Sequence, residues 1–558
     1  MKITATRQTD VLIVGGGASG LRAALAAAET GARVLLANKG PLARSGITLT
    51  AAGGMQAPLH PDDSPELFCD DIIRCGYGLA DRDLAQTLAA DAAGRVLETE
   101  RYGVSFVRDA AGGYALGQFP GQSQPRNLFV RGGGIGLAGA LAKACRGHAG
   151  ITVLDDFFVT GLVRDAAGAV AGAVGLDLRN GELALLAAPA VVMATGGCQW
   201  LWATNDCPAD ATGDGLVHAY RAGAELVDME MVLFYPSVLV WPPSLQGAFV
   251  HYEYLAPDVL DGNIYDNAGR PVLPKPLPVR DEAMLLLARA VRDGRAGPHG
   301  GLMWYVGDSP KGTAAVAAKL DILQYNYIRA HGVDPATDRV EVAPGAHYLL
   351  GGIHIDPDCR TSVRGLFAAP ECAGNFDGAN RLAGNGLTAT QVFGARAGLA
   401  AGRWAADNGG ARPDPAAVEE ETARVAARLA PAKSGGTDLA ALRDRLRAAV
   451  QQYAGVGRDA AGLQRLARLA GDTRAELAAA RVPDAGVFNQ RLVELIELEN
   501  MAEIAGLVAG SALTRAETRG HHIRDDFPAR DDANWLCHTL ATRAADGPRF
   551  GAKPLRGR

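Results

Sequence analysis

The stretch 377–386, DGANRLAGNG, sets one cation, Arg381, among small and flexible residues. Gly and Asn tolerate unusual dihedrals and let backbone pass close to other groups. Such a stretch fills no core and makes a poor helix. It suits a loop pressed against a ligand, with the guanidinium as its one cationic donor. A second glycine pattern lies near the N-terminus, where Gly15, Gly17 and Gly20 form GxGxxG. That spacing allows a tight turn and close contact with a pyrophosphate held on a positive helix end. Further glycine clusters stand at ATGG (194–197), TGDG (212–215) and PECAGN (370–375), and they select FAD over NAD.

The elements that must position these residues are readable from pattern. DVLIVGG (10–16), LRAALAAAETG and ARVLLANK form a βαβ unit around the GxGxxG turn. The acidic residue usual at the end of the second strand is absent. Ribose contact is therefore left to Asn38 and Lys39 or to another segment. RSGITLTAAGGM (44–55) is a Gly/Thr-rich loop, and helical, charged segments occupy 64–102. From 151 to 195 short β-runs alternate with the turns DAAG and RNGE, which predicts a meander and then a buried strand. Residues 231–340 are richer in prolines and aromatics and have few clear periods, as an inserted domain would. Sheet-like sequence returns at 345–372, and a helix follows at about 386–406. ADNGGARPDP (406–415) reads as a linker. Residues 416–512 read as helical, with Leu439, Leu442, Leu446 and Val450 on one apolar stripe. The tail from 543 is basic and reads as extended.

Bulk properties narrow the class. The 558 residues suffice for two or three domains. A net charge of −6 gives no basic excess for nucleic acid. The longest apolar run, 183–197, is broken by Pro189 and is too short to span a membrane. The N-terminal MKITATRQTD has no apolar signal region, which predicts a cytoplasmic protein. Eight scattered cysteines contain no CxxC pair, which argues against a metal site or an iron–sulfur cluster in this chain.

GGGASG, TLTAAGGM, ATGG, TGDG, AHYLLGGI, DGANRLAGNGL and VFGARAG together resemble the flavoprotein family of succinate dehydrogenase, fumarate reductase and L-aspartate oxidase. Near the C-terminus ETRGHHIRDDFPARDDANWLCHTL is similar to that family's end domain, so the likeness runs from about residue 9 to 540. The resemblance implies an α/β fold with a two-piece, Rossmann-like FAD-binding domain (1–230 and 344–406). It adds an inserted α+β capping domain (231–343), a C-terminal helical domain (416–545) and a basic tail (546–558). It implies FAD contacts from Gly15, Gly17, Ala18, Ser19 and Gly20, from Asn38 and Lys39, and from Ser45, Gly46, Thr48, Ala52, Gly53 and Gly54. Later contacts are Ala194, Thr195, Gly196, Asp214, His347, Tyr348, Glu371, Arg381, Asn385, Gly386 and Leu387. Membrane complexes of the family tether FAD to a histidine in the loop matching 44–54. That loop has Gly46 and Ile47 and no histidine here, so FAD is expected to be noncovalent and a poorer oxidant. The helix from Asn385 is expected to aim its positive end at the flavin and stabilise an anionic reduced ring.

Residue by residue, the resemblance makes His347 and Arg381 a carboxylate site beside the flavin and makes Arg280, in VRDEA, the proton donor or acceptor. Arginine forks suit carboxylates, and a high-pKa acid matches the strongly basic carbon formed beside one. Plainer roles stay open: a satisfied His-Tyr pair, an Arg381–Asp377 ion pair, or a solvated helix start at Arg280. The pattern breaks across the pocket. Tyr235 stands where the family has a histidine for the second carboxylate. Glu253 aligns with the family's relay glutamate, while Tyr252 replaces its threonine and Ala256 its relay arginine. The far half of the pocket should therefore be bulkier and less cationic, and the acid fumarate/succinate-like or a modified dicarboxylate with an amide, a ring or another polar group at its far end; the plainer alternative is that Tyr235 only substitutes a phenol hydrogen bond for an imidazole one. His354, His521 and His522 read as structural, and Trp200 and Trp202 as packing residues. The expected activity is hydride exchange between flavin N5 and a CH–CH bond of a carboxylic acid. The alternatives are an L-aspartate oxidase-like enzyme and an electron-transfer subunit; a ketosteroid dehydrogenase has no use for carboxylate-binding arginines. Lacking clusters of its own, the chain leaves room for a separate iron–sulfur or ferredoxin-like electron partner.

Overall fold

The computed structural model describes residues 1–322, 326–334, 336–430 and 437–557. Its centre is a five-stranded parallel sheet in the order Leu366–Ala368, Ala190–Met193, Val11–Val14, Val34–Ala37, Ile151–Leu154. Each of its four-residue strands except Ile151–Leu154 is buried along its length, as apolar runs in a doubly covered parallel sheet should be. Strands from both ends of the sequence meet here, since Val191 pairs with Leu366 and Val14 with both Ala37 and Met193. The helix Ala18–Glu29 packs along Asn385–Asn408. Small residues allow the close approach: a Cβ on Gly398 would lie 2.2 Å from the Ala23 carbonyl oxygen.

The expected meander is present as Phe157–Arg164, Val170–Asp177 and Glu182–Ala187, antiparallel, with Ile3–Gln8 added in parallel at its edge. The inserted segment forms its own antiparallel sheet of Val232–Trp241, Val340–Leu349, Leu302–Tyr305 and Asn263–Tyr265. The helix Arg280–Arg292 covers it, with Leu287, Trp304 and Val342 in a separate small core. The long strands Val232–Trp241 and Val340–Leu349 run from this cap into the flavin domain, so residues near their inner ends sit at the junction.

The C-terminal helices Leu439–Tyr453, Ala460–Ala479 and Gln490–Thr514 pack together, and Leu439, Leu442, Leu446 and Val450 are all buried, as their spacing predicted. The expected extended tail is a correction. His538–Ala544 and Gly547–Lys553 form a hairpin that pairs with Leu226–Val227, which in turn pairs with Gly352–Ile353. Ala545 and Asp546 supply the turn, and Gly547, which pairs with Ala544, follows it at φ +128. Past the hairpin the chain still docks: the Arg556 amide donates to Asp81.

Candidate active site

One cavity of about 960 Å³ runs from the GxGxxG turn to the base of the cap. At the first end the backbone lies bare. A Cβ on Gly20 would sit 1.9 Å from the Gly15 carbonyl oxygen, and one on Gly15 2.3 Å from that of Ala194. Gly20 therefore lies behind the wall and permits the turn, while Gly15, Gly17, Ala18 and Ser19 line the cavity. Ser45, Gly46, Thr48, Ala52, Gly53, Gly54, Ala194, Thr195, Gly196, Asp214, Tyr348, Glu371, Gly386 and Leu387 line it as well. Asn385 does not; it is buried and donates to Asp377 at 2.9 Å. Asn38 accepts from the Gly16 amide at 2.9 Å, so it props the glycine turn. Lys39 borders the cavity, but its ammonium binds Asp214 at 3.1 Å and Glu497 at 2.5 Å. That pair ties the flavin domain to the C-terminal helices.

The residues fit an FAD. Ser19 Oγ and the Tyr348 hydroxyl are buried without a hydrogen-bond partner among the described residues, although both residues line the cavity. Burial pushes the Glu371 carboxyl up to about 7, so it can act there as a neutral donor. The helix Asn385–Asn408 begins at the cavity, with Gly384 at φ +90 as its N-cap and no acidic residue in its first turn. Its positive end is left uncompensated.

At the other end three distant segments converge. Arg381 is buried, and its Nη1 donates to the Leu382 carbonyl at 3.2 Å. Its Nη2 lies 3.3 Å from His347 Nε2, and its guanidinium stands 4.4 Å from the centre of the Tyr348 ring. The thin loop has a direct reason: a Cβ on Gly386 would meet Arg381 Nη1 at 3.1 Å. Arg381 forms no ion pair with Asp377, which instead accepts from Asn385 and is pushed up by burial to about 6. Among the described residues no carboxylate pairs with Arg381, and its Nε has no acceptor. His347 Nδ1 donates to Asp206 Oδ2 at 2.6 Å, which leaves Nε2 facing Arg381. Asp206 is brought in by the segment beside the strand, where Asn205 bridges to Ala346.

Arg280 opens its helix, and its Nη2 donates to Glu253 Oε1 at 3.0 Å. Its guanidinium lies 5.2 Å from the centre of the Tyr235 ring. Burial works against both charges, but each holds the other: Glu253 keeps the guanidinium above its ordinary range, and Arg280 keeps the carboxylate below its own. Arg280 is not a solvated helix start, since only 16% of its side chain is exposed and the adjacent Asp281 is buried against the Tyr77 hydroxyl.

Tyr235 lines the cavity as expected, but Tyr252 does not. In the short helix Tyr252–Leu255 it turns into the cap core and donates to the Pro278 carbonyl at 3.2 Å. Its neighbours Phe249, His251, Glu253 and Tyr254 face the cavity instead. Asp206 and His251 were the residues missed. His354, His521 and His522 are buried, and the last lies 2.9 Å from Arg458 Nη1, in keeping with structural roles. Trp202 donates to the Ala454 carbonyl at 2.9 Å, joining the flavin and helical domains.

A two-piece dinucleotide domain, a cap and an arginine-lined pocket between them fit a flavin-dependent oxidoreductase. Similarity to known proteins carries this to a family. Residues 10–387 match the family described as FAD binding domain, and 443–557 match that described as Fumarate reductase flavoprotein C-term. The chain is 33% identical to the fumarate reductase flavoprotein subunit of Mycobacterium tuberculosis, covering 99% of this chain and 97% of that one. It is 34% identical to the L-aspartate oxidase of Caulobacter vibrioides, covering 97% of this chain and 98% of that one. The solved Mycobacterium smegmatis Sdh1 superposes with a TM-score of 0.90 at 31% identity, over 99% of this chain and 95% of that one. The chain belongs to the FAD-dependent fumarate reductase, succinate dehydrogenase and L-aspartate oxidase flavoprotein family. FAD bound in the cavity supplies a carrier that gives or takes a hydride.

Proposed function

We propose that the protein interconverts a carbon–carbon single and double bond beside a carboxylate, with Arg280 giving or taking the proton. The observation that carries this reading is Arg381. A buried guanidinium with no carboxylate partner among the described residues is costly, and an acid placed beside it and His347 removes that cost. Arg280, paired with Glu253, lies 5.2 Å from the centre of the Tyr235 ring, which in turn stands 5.4 Å from that of His347. His347 and Arg381 orient the acid, and Arg280 meets the carbon next to the one that exchanges hydride.

The acid carries something other than a second bare carboxylate at its far end. Beside His347, Tyr235 and Phe249 stand with ring centres 5.4 and 6.1 Å from the imidazole, Tyr254 adds a third aromatic residue to the cavity wall, and Tyr235 is already hydrogen-bonded to Glu253 and His251. A ring, an amide or another polar group fits such a wall better than a dianion. Residues 1–230 and 344–406 hold the flavin in this reading, 231–343 close over the acid, and 416–545 brace both.

No helix among the described residues is long and apolar enough to cross a membrane. We place the protein in the cytoplasm, with FAD held noncovalently and a separate iron–sulfur or ferredoxin-like protein exchanging electrons with it. The likeness to an L-aspartate oxidase supports a second reading, oxidation of an amino acid by the same residues. A panel of saturated acids is screened for bleaching of the bound flavin, and the unsaturated partners for oxidation of a reduced dye. Turnover of an acid with an altered far end is expected. Turnover of plain succinate or fumarate at family rates contradicts the altered-substrate reading. Fast reoxidation of the reduced enzyme by oxygen favours the oxidase.

A further inference from the structure

Arg280 has to be reloaded after each proton it gives up, and at Ala256, where the family resemblance expects a relay arginine, there is no titratable group. Another route leaves Glu253 from its second oxygen. Glu253 Oε1 accepts from Arg280 Nη2 at 3.0 Å, and Oε2 accepts from the Tyr235 hydroxyl at 2.7 Å. The Tyr235 oxygen lies 3.2 Å from His251 Nδ1. These contacts form an unbroken line from the arginine to an imidazole. A phenol hydroxyl donates and accepts at once, which suits the middle position. Exposure also suits the order: the His251 side chain is 24% exposed against 11% for Glu253. Tyr254 and Phe249 pack on the imidazole, with ring centres 4.5 and 5.1 Å away. Glu253 Oε2 is itself 3.8 Å from Nδ1, too far for a direct bond, so the tyrosine is the intermediary.

We propose that His251, acting through Tyr235 and Glu253, is the proton relay that reloads Arg280; this rests on the reading of Arg280 as proton donor. In the reductive direction Arg280 gives one guanidinium proton to carbon and is left neutral. Protonated His251 passes its Nδ1 proton to the Tyr235 oxygen while the Tyr235 hydroxyl proton moves to Glu253 Oε2. The carboxyl then rotates and delivers that proton to Arg280. No electron moves in these steps. Tyr235, Glu253 and Arg280 end as they began; His251 is left as the Nε2–H tautomer and regains its proton at Nδ1 from water. Oxidation runs the same line backwards. His251 is thus a positioning and relay residue that need not touch the reacting carbon.

The test uses the flavin-loaded enzyme, fumarate as the probe acid and reduced benzyl viologen as electron source, since even a poor substrate needs one proton per turnover. His251→Ala and Tyr235→Phe are expected to lower kcat by about ten- to a hundredfold, with KM changed by less than about threefold. The solvent deuterium effect on kcat should rise in both, and added imidazole should restore His251→Ala but not Tyr235→Phe. Bound-flavin absorbance and reduction by dithionite should match wild type. If His251→Ala loses its flavin, Tyr235→Phe, which removes a single oxygen, decides alone. Glu253→Gln separates the two readings. If it leaves turnover intact, the role given to Arg280 fails. If it abolishes turnover while His251→Ala and Tyr235→Phe keep wild-type kcat and isotope effect, the relay alone is overturned.

Discussion

His538 is a buried imidazole clamped between two carboxylates, with Nδ1 2.5 Å from Asp228 and Nε2 3.2 Å from Asp81. It opens the closing hairpin, while Asp81 immediately precedes the helix Arg82–Glu98 of the first flavin-domain piece. Asp228 follows the strand Leu226–Val227. One proton therefore joins segments more than 300 residues apart. Burial disfavours the imidazolium, but the two carboxylates outweigh it and push the pKa from 6.5 up to about 9. At about 1.36 kcal/mol for each unit of pKa, the protonated form contributes ~3 kcal/mol to stability. The folded value lies above the unfolded one, so this stability is fully present below pH 6.5 and is lost as pH rises to about 9. Replacing His538 by Gln leaves the buried Asp81 without its cation, while Asp228 keeps Arg515 at 3.1 Å. The replacement should cost about 3–5 kcal/mol at about pH 6 and remove the loss across this window. The assay is urea unfolding of flavin-loaded wild type and His538→Gln at about pH 6 and about pH 9. Wild type should lose ~3 kcal/mol more than the variant between the two. Parallel loss in both proteins would refute the clamp.

Two further perturbations read the ends of the cavity. Gly20→Ala drives a Cβ against the Gly15 carbonyl, so the purified variant should lose most of its bound flavin absorbance; full retention would mean that the turn is not held by this contact. Asp206→Leu removes the partner that keeps the proton on His347 Nδ1. It should raise KM for the acid about tenfold at normal flavin content, and an unchanged KM would show that Asp206 does not orient the imidazole.

The flavin end was largely legible because glycine spacing records backbone approach, which is local in sequence. Arg280, His347 and Arg381 were legible only as a set, from motifs whose convergence depends on two long strands crossing between domains. Side-chain direction in the cap was not legible. Glu253 and Tyr252 are adjacent, and a single short helical turn sends one into the pocket and the other into the core. The same turn hides His251, which carried no motif. Asp206 was invisible for a different reason, because its partner lies 141 residues away. The closing hairpin did carry a signal, Asp546-Gly547 between alternating residues, which its basic composition masked.

Whether an acid reacts between Arg381 and Arg280 is decided by Arg280→Gln in the flavin-loaded enzyme, with reduction of the unsaturated acid followed alongside reduction of the flavin by dithionite. With the guanidinium as the proton donor to carbon, turnover should fall by about 10²–10⁴-fold while the dithionite reaction proceeds at the wild-type rate. Turnover within a few-fold of wild type in Arg280→Gln would contradict that role.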